Sequence, residues 1–118
     1  LDAGDWSRTV TPDPVLLFRY SALTYNGHRI HYDRDYATRE EFYPALVVHG
    51  PLIATLLLDL AARERPRAEP ARFSFRARRP AFDTDALGLH GRPQGDEVRL
   101  WTTDPAGFVG MTASLRWR

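Results

Sequence analysis

Hydrophobic and polar positions divide the chain into an irregular first part and a regularly patterned second part. Residues 52–62 are apolar almost all round, and a helix with that pattern is a buried one. Gly50 and Pro51 precede this run and Pro66 follows it, which is typical of the start and end of a helix. From residue 72 onward apolar and polar residues alternate, as they do in strands with one buried face.

The alternating part of the chain predicts an antiparallel sheet. Turn residues rich in glycine and proline separate its last three strands, at 91–96 and 104–107. The predicted strands cover residues 72–78, 86–90, 97–103 and 108–117. One buried helix followed by four strands predicts an α+β fold in which the helix packs on the sheet.

The first part of the chain has a weaker pattern. Residues 1–14 contain Pro12 and Pro14 and predict an N-terminal arm without a helix. Residues 15–20 are apolar and predict either a strand or a buried turn, with a short helical turn after them. Residues 25–36 form a polar, aromatic loop of the kind in which functional residues concentrate. Thr38 and Glu41 have the spacing of a capping box for one more short helix.

The length and composition of the chain indicate a single domain over residues 1–118. The hydrophobic content of 43% can fill a core, and 16 basic against 15 acidic residues lack the one-sided excess that a nucleic-acid surface needs. All basic residues are arginine, so lysine chemistry is excluded. The absence of cysteine excludes thiolate nucleophiles and fits a cytoplasmic location.

Residues 1–20 lack a basic start followed by an apolar run, so no signal peptide is predicted. The run at 51–58 is much shorter than the roughly 18 apolar residues of a membrane span, so no membrane association is expected. The chain begins with Leu1 rather than methionine, and we expect a further segment upstream.

Several segments resemble one family over most of residues 6–117. The chain is similar to the MaoC-like acyl dehydratases, and more narrowly to their type 2 hydroxyacyl-thioester dehydratase and mesaconyl-CoA hydratase branch. The densest similarity lies between residues 18 and 54. The residues that carry it are 18–33, Tyr36-Ala37, 48–54, Arg79-Pro80, Trp101, Asp104-Pro105, Gly107 and Met111.

This resemblance implies a hotdog fold, in which an antiparallel sheet wraps one long buried helix. It implies hydration of trans-2-enoyl thioesters, or dehydration of 3-hydroxyacyl thioesters, carried on coenzyme A or acyl carrier protein, without a cofactor. Members of the family work as hotdog pairs, so the partner is a second copy or a second hotdog half. The chain resembles the C-terminal, motif-bearing half of a longer protein.

The resemblance also assigns site residues. The family motif has an Asp, an Asn two residues later, a catalytic His three residues after that, and a further Asp. Aligned on His31, it places Asn26 at the first Asp, His28 at the Asn and Asp33 at the last Asp. An amide cannot take a proton from water, so His31 is the expected general acid and base. Asn26 is then expected to position water, and His28 to share the proton transfer.

Further residues are expected at the substrate. The backbone N–H of Gly50, at the start of the buried helix, could bind the negative charge on the thioester oxygen, or Gly50 could simply permit a tight turn. His49 either lines the substrate pocket or packs under the turn, and Tyr25 of the motif is expected to bind substrate. Arg76 is expected on one face of a strand together with Arg72 and Arg78. These arginines either bind the phosphates of coenzyme A or an acidic carrier protein, or form a solvated charged face.

Two other functions are compatible with the residues. A hotdog thioesterase needs a carboxylate near the helix start, and the nearest carboxylates are in the wrong register. A non-catalytic acyl-binding or partner subunit would be consistent with an Asn at position 26. A metal site from the His and Asp residues at 28–35 is disfavoured, because no third His follows at a suitable spacing.

Overall fold

The computed structural model describes residues 2–118 and contains five strands and two α-helices. A 3₁₀ turn and a π-helical turn lie between the helices, at Arg29–His31 and Tyr36–Glu40. The helices are α1 (Pro14–Leu23) and α2 (Gly50–Glu64). The strands are β1 (Trp6–Val10), β2 (Pro70–Ala77), β3 (Leu87–Gln94), β4 (Glu97–Thr103) and β5 (Val109–Trp117).

The five strands form one antiparallel sheet in the order β1-β3-β4-β5-β2, and α2 packs against it. The buried side of α2 presents large aliphatic side chains to the inner faces of β3, β4 and β5. The large hydrophobic side chains that are fully buried in the core are Leu17, Leu57, Leu89, Val98, Leu100, Met111 and Leu115. This architecture confirms the expected α+β fold with one long helix wrapped by a sheet.

The N-terminal residues were expected to form an arm, and this prediction is wrong for residues 6–10. They form the edge strand β1, which pairs with β3 from Trp6 opposite Gly91 to Val10 opposite Leu87. The segment 6–10 has no strong alternation of apolar and polar residues, so its sequence does not indicate a strand. Its backbone hydrogen bonds come from pairing with β3, which is distant in the sequence. For a similar reason β3 continues to Gln94, into residues that were predicted to be a turn.

Residues 15–20 were expected to form a strand or a buried turn but lie in α1. Pro14 does not prevent this helix, because it occupies the first helical position, where no N–H partner is needed. The Asp13 side chain caps the helix by accepting a hydrogen bond from the Leu16 N–H at 2.8 Å. The apolar run was ambiguous because short apolar runs occur in both kinds of element.

The capping box predicted at Thr38 and Glu41 is absent. A π-helical turn begins earlier, at Tyr36, and the Thr38 hydroxyl donates to the Arg34 carbonyl at 2.8 Å instead of capping a helix. Among the helices of residues 2–118, none combines the length and the hydropathy needed to cross a lipid bilayer.

We predict that truncation of Leu57 to Ala lowers the free energy of unfolding by about 2–5 kcal/mol, because Leu57 is fully buried between α2 and the sheet. Leu56 was expected in the core as well, but it is only half-buried, so Leu56→Ala is the matched control with a smaller loss. Denaturant melts of both variants measure the difference. Equal losses would contradict the placement of α2.

Candidate active site

His31 is held by the backbone that precedes α2. Its Nδ1–H donates to the Val47 carbonyl at 2.6 Å, and the Val47 N–H donates to the Ile30 carbonyl at 3.0 Å. The carbonyl can only accept, so Nδ1 carries a proton and Nε2 is the nitrogen that can exchange one. Burial lowers the pKa of His31, the Val47 bond opposes this, and the charge of His28 adds to the lowering. The ring is thus a neutral base with a fixed tautomer.

His49 lies directly under His31, at the residue before α2. The two rings are stacked with centroids 3.8 Å apart and an angle of 19° between their planes. The Ser21 hydroxyl lies 2.8 Å from Nε2 of His49, and the edge of Tyr20 packs on the same ring. His49 is 1% exposed, and burial followed by the charge of His31 lowers its pKa to about 4. Any contact between His49 and a ligand would therefore pass through Ser21 or His31.

Residues 25–28, at the start of the predicted loop 25–36, form a tight turn. Tyr25 has a left-handed backbone (φ 54°) and a side chain that is 96% exposed. The side-chain oxygen of Asn26 (Oδ1) accepts from the His28 backbone N–H at 3.1 Å, and the Asn26 backbone N–H donates to the Ser21 carbonyl. The amide NH₂ of Asn26 is left to donate to a ligand. The ring of His28 lies 5.8 Å from that of His31.

An open cleft of about 300 Å³ runs beside this turn. Its walls are mainly apolar and aromatic, and Ser21 and Asn26 supply its polar side chains. The lining residues are Phe18, Ser21, Ala22, Tyr25, Asn26, Gly27 and Tyr32. The structure thus brings Tyr25 and Asn26 to one cleft. His49 is bonded to Ser21 of that cleft and stacks on His31, but neither histidine lines the cleft.

Gly50 lines a second cavity, of about 320 Å³, at the start of α2. Its φ is not in the left-handed region, and a Cβ at this position would meet nothing within 4 Å. Neither the turn nor crowding requires glycine here, which favours the open approach of a ligand to the backbone N–H. Arg78 and Arg79 line the same cavity.

The predicted strand-face arginines do not all reach the site. Arg76 lies on edge strand β2 opposite Thr112 of β5, and it lines neither the cleft beside Asn26 nor the Gly50 cavity. Arg72 lies further along the same strand, opposite Arg116. Asp33 pairs with Arg29 at 2.9 Å and accepts from the Tyr36 N–H, so this carboxylate orders the loop.

Two contributors were not anticipated from the sequence. The sequence pattern assigns no role to Ser21, whereas the structure places it between the cleft and His49. Asp83 has a nearly buried carboxylate that binds Arg34 at 2.6 Å and accepts from the Leu46 N–H at 3.0 Å. Through these two contacts Asp83 connects the segment that carries His31 with the segment before α2. A lone Asp in an irregular segment carries no sequence signal for such a contact.

No group of three or more His, Asp or Glu side chains in residues 2–118 is arranged to hold an ion.

The sequence matches a family model and two named relatives. The model for hydroxyacyl-thioester dehydratase type 2 matches residues 2–83. Mesaconyl-C(4)-CoA hydratase of Chloroflexus aurantiacus is 52% identical over 109 residues, which are 92% of this chain and 39% of that protein. The mitochondrial hydroxyacyl-thioester dehydratase type 2 of Schizosaccharomyces pombe is 46% identical over 81 residues, 67% of this chain and 27% of that protein. The chain therefore spans well under half the length of these relatives.

Solved structures share the fold. The (R)-hydratase from A. caviae involved in PHA biosynthesis superimposes with a TM-score of 0.81 at 18% identity, covering 98% of this chain and 94% of that one. The ChsH1-ChsH2 complex of Mycobacterium tuberculosis gives a TM-score of 0.80 at 16% identity, covering 94% and 91%. These similarities confirm the hotdog fold.

We predict that acid weakens the folded state through His49. Its pKa is lowered from 6.5 to about 4 on folding, so only the unfolded chain binds this proton between those values. The free energy of unfolding should fall as pH drops from 6.5 to about 4, by up to about 3 kcal/mol. Denaturant melts across this range should show a flatter profile in His49→Phe than in the wild type.

Leu56→Ala, which removes no titratable group, controls for general destabilisation in this experiment. An equally steep profile in His49→Phe would show that His49 is not the group responsible.

Proposed function

We propose that this chain, which belongs to the hydroxyacyl-thioester dehydratase type 2 family, carries the acid–base site of an acyl-thioester hydro-lyase. It would add water to trans-2-enoyl thioesters or remove it from 3-hydroxyacyl thioesters. One observation carries the proposal: Nδ1 of a buried His31 is fixed by the Val47 carbonyl, which leaves Nε2 as the proton-exchanging atom next to the start of α2. The two named relatives, a hydratase and a dehydratase, support this reaction class.

The proton transfers follow from the single free nitrogen of His31. In the dehydration direction, Nε2 removes a proton from the carbon next to the thioester carbonyl or delivers one to the departing hydroxyl. Its lowered pKa favours the neutral form that the first step needs. Hydration is the same sequence in reverse, with water as the source of the hydroxyl.

Gly50 is proposed to stabilise the charge that develops on the thioester oxygen. Gly50 is the first residue of α2, so its backbone N–H lies at the positive end of the helix dipole, and the residue lines an open cavity. Pro51 has no N–H to contribute, so Gly50 is the donor of this turn.

The remaining site residues have roles that differ from those of a carboxylate–histidine pair. Asn26 donates its amide NH₂ to the water or hydroxyl, since its carbonyl oxygen is engaged with His28. His28 is the second imidazole within reach of His31 and the candidate for a second proton transfer. Tyr25 would cover the acyl chain in the cleft, and Arg76 would meet a carrier only at the outer edge of the sheet. His49 would contact substrate only through its neighbours.

Thioester hydrolysis is the weaker candidate on this geometry. Its activating carboxylate would have to lie near Gly50, but Asp33 is paired with Arg29 and Asp83 with Arg34. One observation favours a non-catalytic partner subunit: the side-chain oxygen of Asn26 is already occupied by a hydrogen bond from the His28 backbone N–H. Hydration of crotonyl-CoA separates all three, because hydrolysis releases free thiol and a non-catalytic subunit leaves the enoyl absorbance unchanged.

The substrate is proposed to be an acyl thioester of coenzyme A or acyl carrier protein, and the partner a second hotdog unit. Large apolar side chains are exposed around the cleft, where a partner would cover them. Those on α1 and the adjacent turn are Val15, Phe18, Leu23 and Tyr25. The reaction needs no cofactor, and the absence of cysteine supports the cytoplasm as its compartment.

We predict that His31→Ala loses about 10²–10⁴-fold in kcat for crotonyl-CoA hydration, the usual contribution of general acid–base catalysis. Asn26→Ala should lose less, because it removes only water orientation. Asn26→Asp should preserve or raise the rate if position 26 faces the water. Loss of enoyl-thioester absorbance measures all three, and wild-type activity in His31→Ala would reject the assignment.

His28→Ala decides how the proton transfers are divided. A loss comparable to that of His31→Ala would assign the second acid–base role to His28. Full activity would leave His31 as the single titrating group, with water held by Asn26.

We also predict that the chain is at least a dimer in solution. The outer edges of β1 and β2 carry unpaired backbone groups, and the apolar residues of α1 are exposed, so a second copy should cover part of this surface. Light scattering after size-exclusion chromatography measures the mass. A uniform monomer of about 13.5 kDa would contradict self-association of this chain.

A further inference from the structure

The buried histidine under His31 has an unusual set of contacts. His49 is 1% exposed, and its Nδ1 has no hydrogen-bond partner among the described residues. Its Nε2 has one partner, the Ser21 hydroxyl at 2.8 Å. Buried polar atoms are nearly always paired, so an orphan nitrogen beside the proposed acid–base residue needs an explanation.

The contacts fix the proton on this ring. If Nδ1 carried the proton, a buried N–H donor would have no acceptor, which is rare in proteins. With the proton on Nε2, the ring donates to Ser21, and only an acceptor is left without a partner. His49 is therefore a neutral imidazole whose orientation is set by Ser21, and the Ser21 hydroxyl hydrogen remains available towards the cleft that Ser21 lines.

The same ring covers one face of His31. The centroid separation of 3.8 Å and the angle of 19° put the two rings in full face-to-face contact. The titratable groups that face this pair are Tyr20 from α1, and His28 from the turn that carries His31. No carboxylate forms an ion pair with either stacked ring in residues 2–118, so nothing there compensates a second positive charge.

We propose that His49 is a positioning residue that acts through His31. Its neutral ring, oriented by Ser21, supports one face of the His31 ring, excludes water from it and aims Nε2 at the substrate. The effect of His49 on the reaction rate rests on the proposed function, whereas its effect on the His31 ring does not. Because two stacked imidazolium ions would repel each other, the pair accepts only one proton beyond the one that each neutral ring carries, and His31 accepts it.

Two substitutions separate ring support from the hydrogen bond. His49→Phe keeps a flat ring over His31 but loses the bond to Ser21, whereas His49→Gln keeps an amide donor for Ser21 but removes the ring. The proposal expects kcat for crotonyl-CoA hydration to fall about 10- to 100-fold in His49→Gln, the cost of a misplaced catalytic group, with KM nearly unchanged. His49→Phe should retain most of the rate.

The titration of His31 supplies a readout that does not need activity. NMR of the imidazole signals should show the pKa of His31 rising towards its ordinary value in His49→Gln, because water reaches the uncovered face. It should stay low in His49→Phe. The acid limb of the pH–rate profile should move in the same direction. His90→Gln removes another buried histidine, bonded to Thr103 on the far side of the sheet, and should leave the His31 titration unchanged.

The outcomes separate this proposal from the proposed function. If none of the proteins hydrates crotonyl-CoA but the His31 titration shifts only in His49→Gln, the positioning role stands and the proposed function fails. An unshifted His31 titration in folded His49→Gln, judged by circular dichroism, would overturn the positioning role. An equal shift in His90→Gln would overturn it too, since the effect would then be general.

Discussion

The hydrogen bond from the His31 ring to the Val47 carbonyl is the interaction on which the candidate site depends. Residues 45–48 are almost fully buried but belong to no regular strand or helix, so their backbone groups need partners from elsewhere. The ring of His31 satisfies the carbonyl of Val47, and Ile30 accepts from its N–H. On the other side, Val48 donates to the Ala81 carbonyl and Leu46 donates to Asp83. The proposed catalytic residue is therefore also a structural one.

This constraint explains the electrostatics of the site. His31 and His49 are buried because the segment before α2 is buried, and burial favours their neutral forms. Asp83 tolerates its burial because Arg34 and a backbone N–H satisfy its oxygens. A base that is neutral, fixed in tautomer and supported on one face can exchange protons without first reorganising its surroundings.

The candidate site is open to solvent on one side. The cleft beside Asn26 is walled by aromatic residues that are largely exposed, and the two edge strands leave backbone groups unpaired. The relatives are much longer than this chain, which covers 39% and 27% of them. In the proposed function a second hotdog unit covers this apolar surface, which would place the proposed acid–base chemistry away from bulk water, where charge stabilisation by a backbone N–H is strongest.

The sequence alone determined the elements whose pattern is local. The apolar run of α2 and the alternation of β2, β4 and β5 predicted their places, and the residues around His31 pointed to the family, now supported by a matching family model. Strand β1 and the end of β3 could not be predicted in this way, because edge pairing depends on a neighbour distant in sequence. The same holds for the site. The motif indicated His31, Asn26 and Gly50, but only the tertiary structure brought Ser21, His49 and Asp83 together with them, because burial of residues 45–48 between the loop of His31 and residues 81–83 is a long-range contact that leaves no periodic signal in the chain.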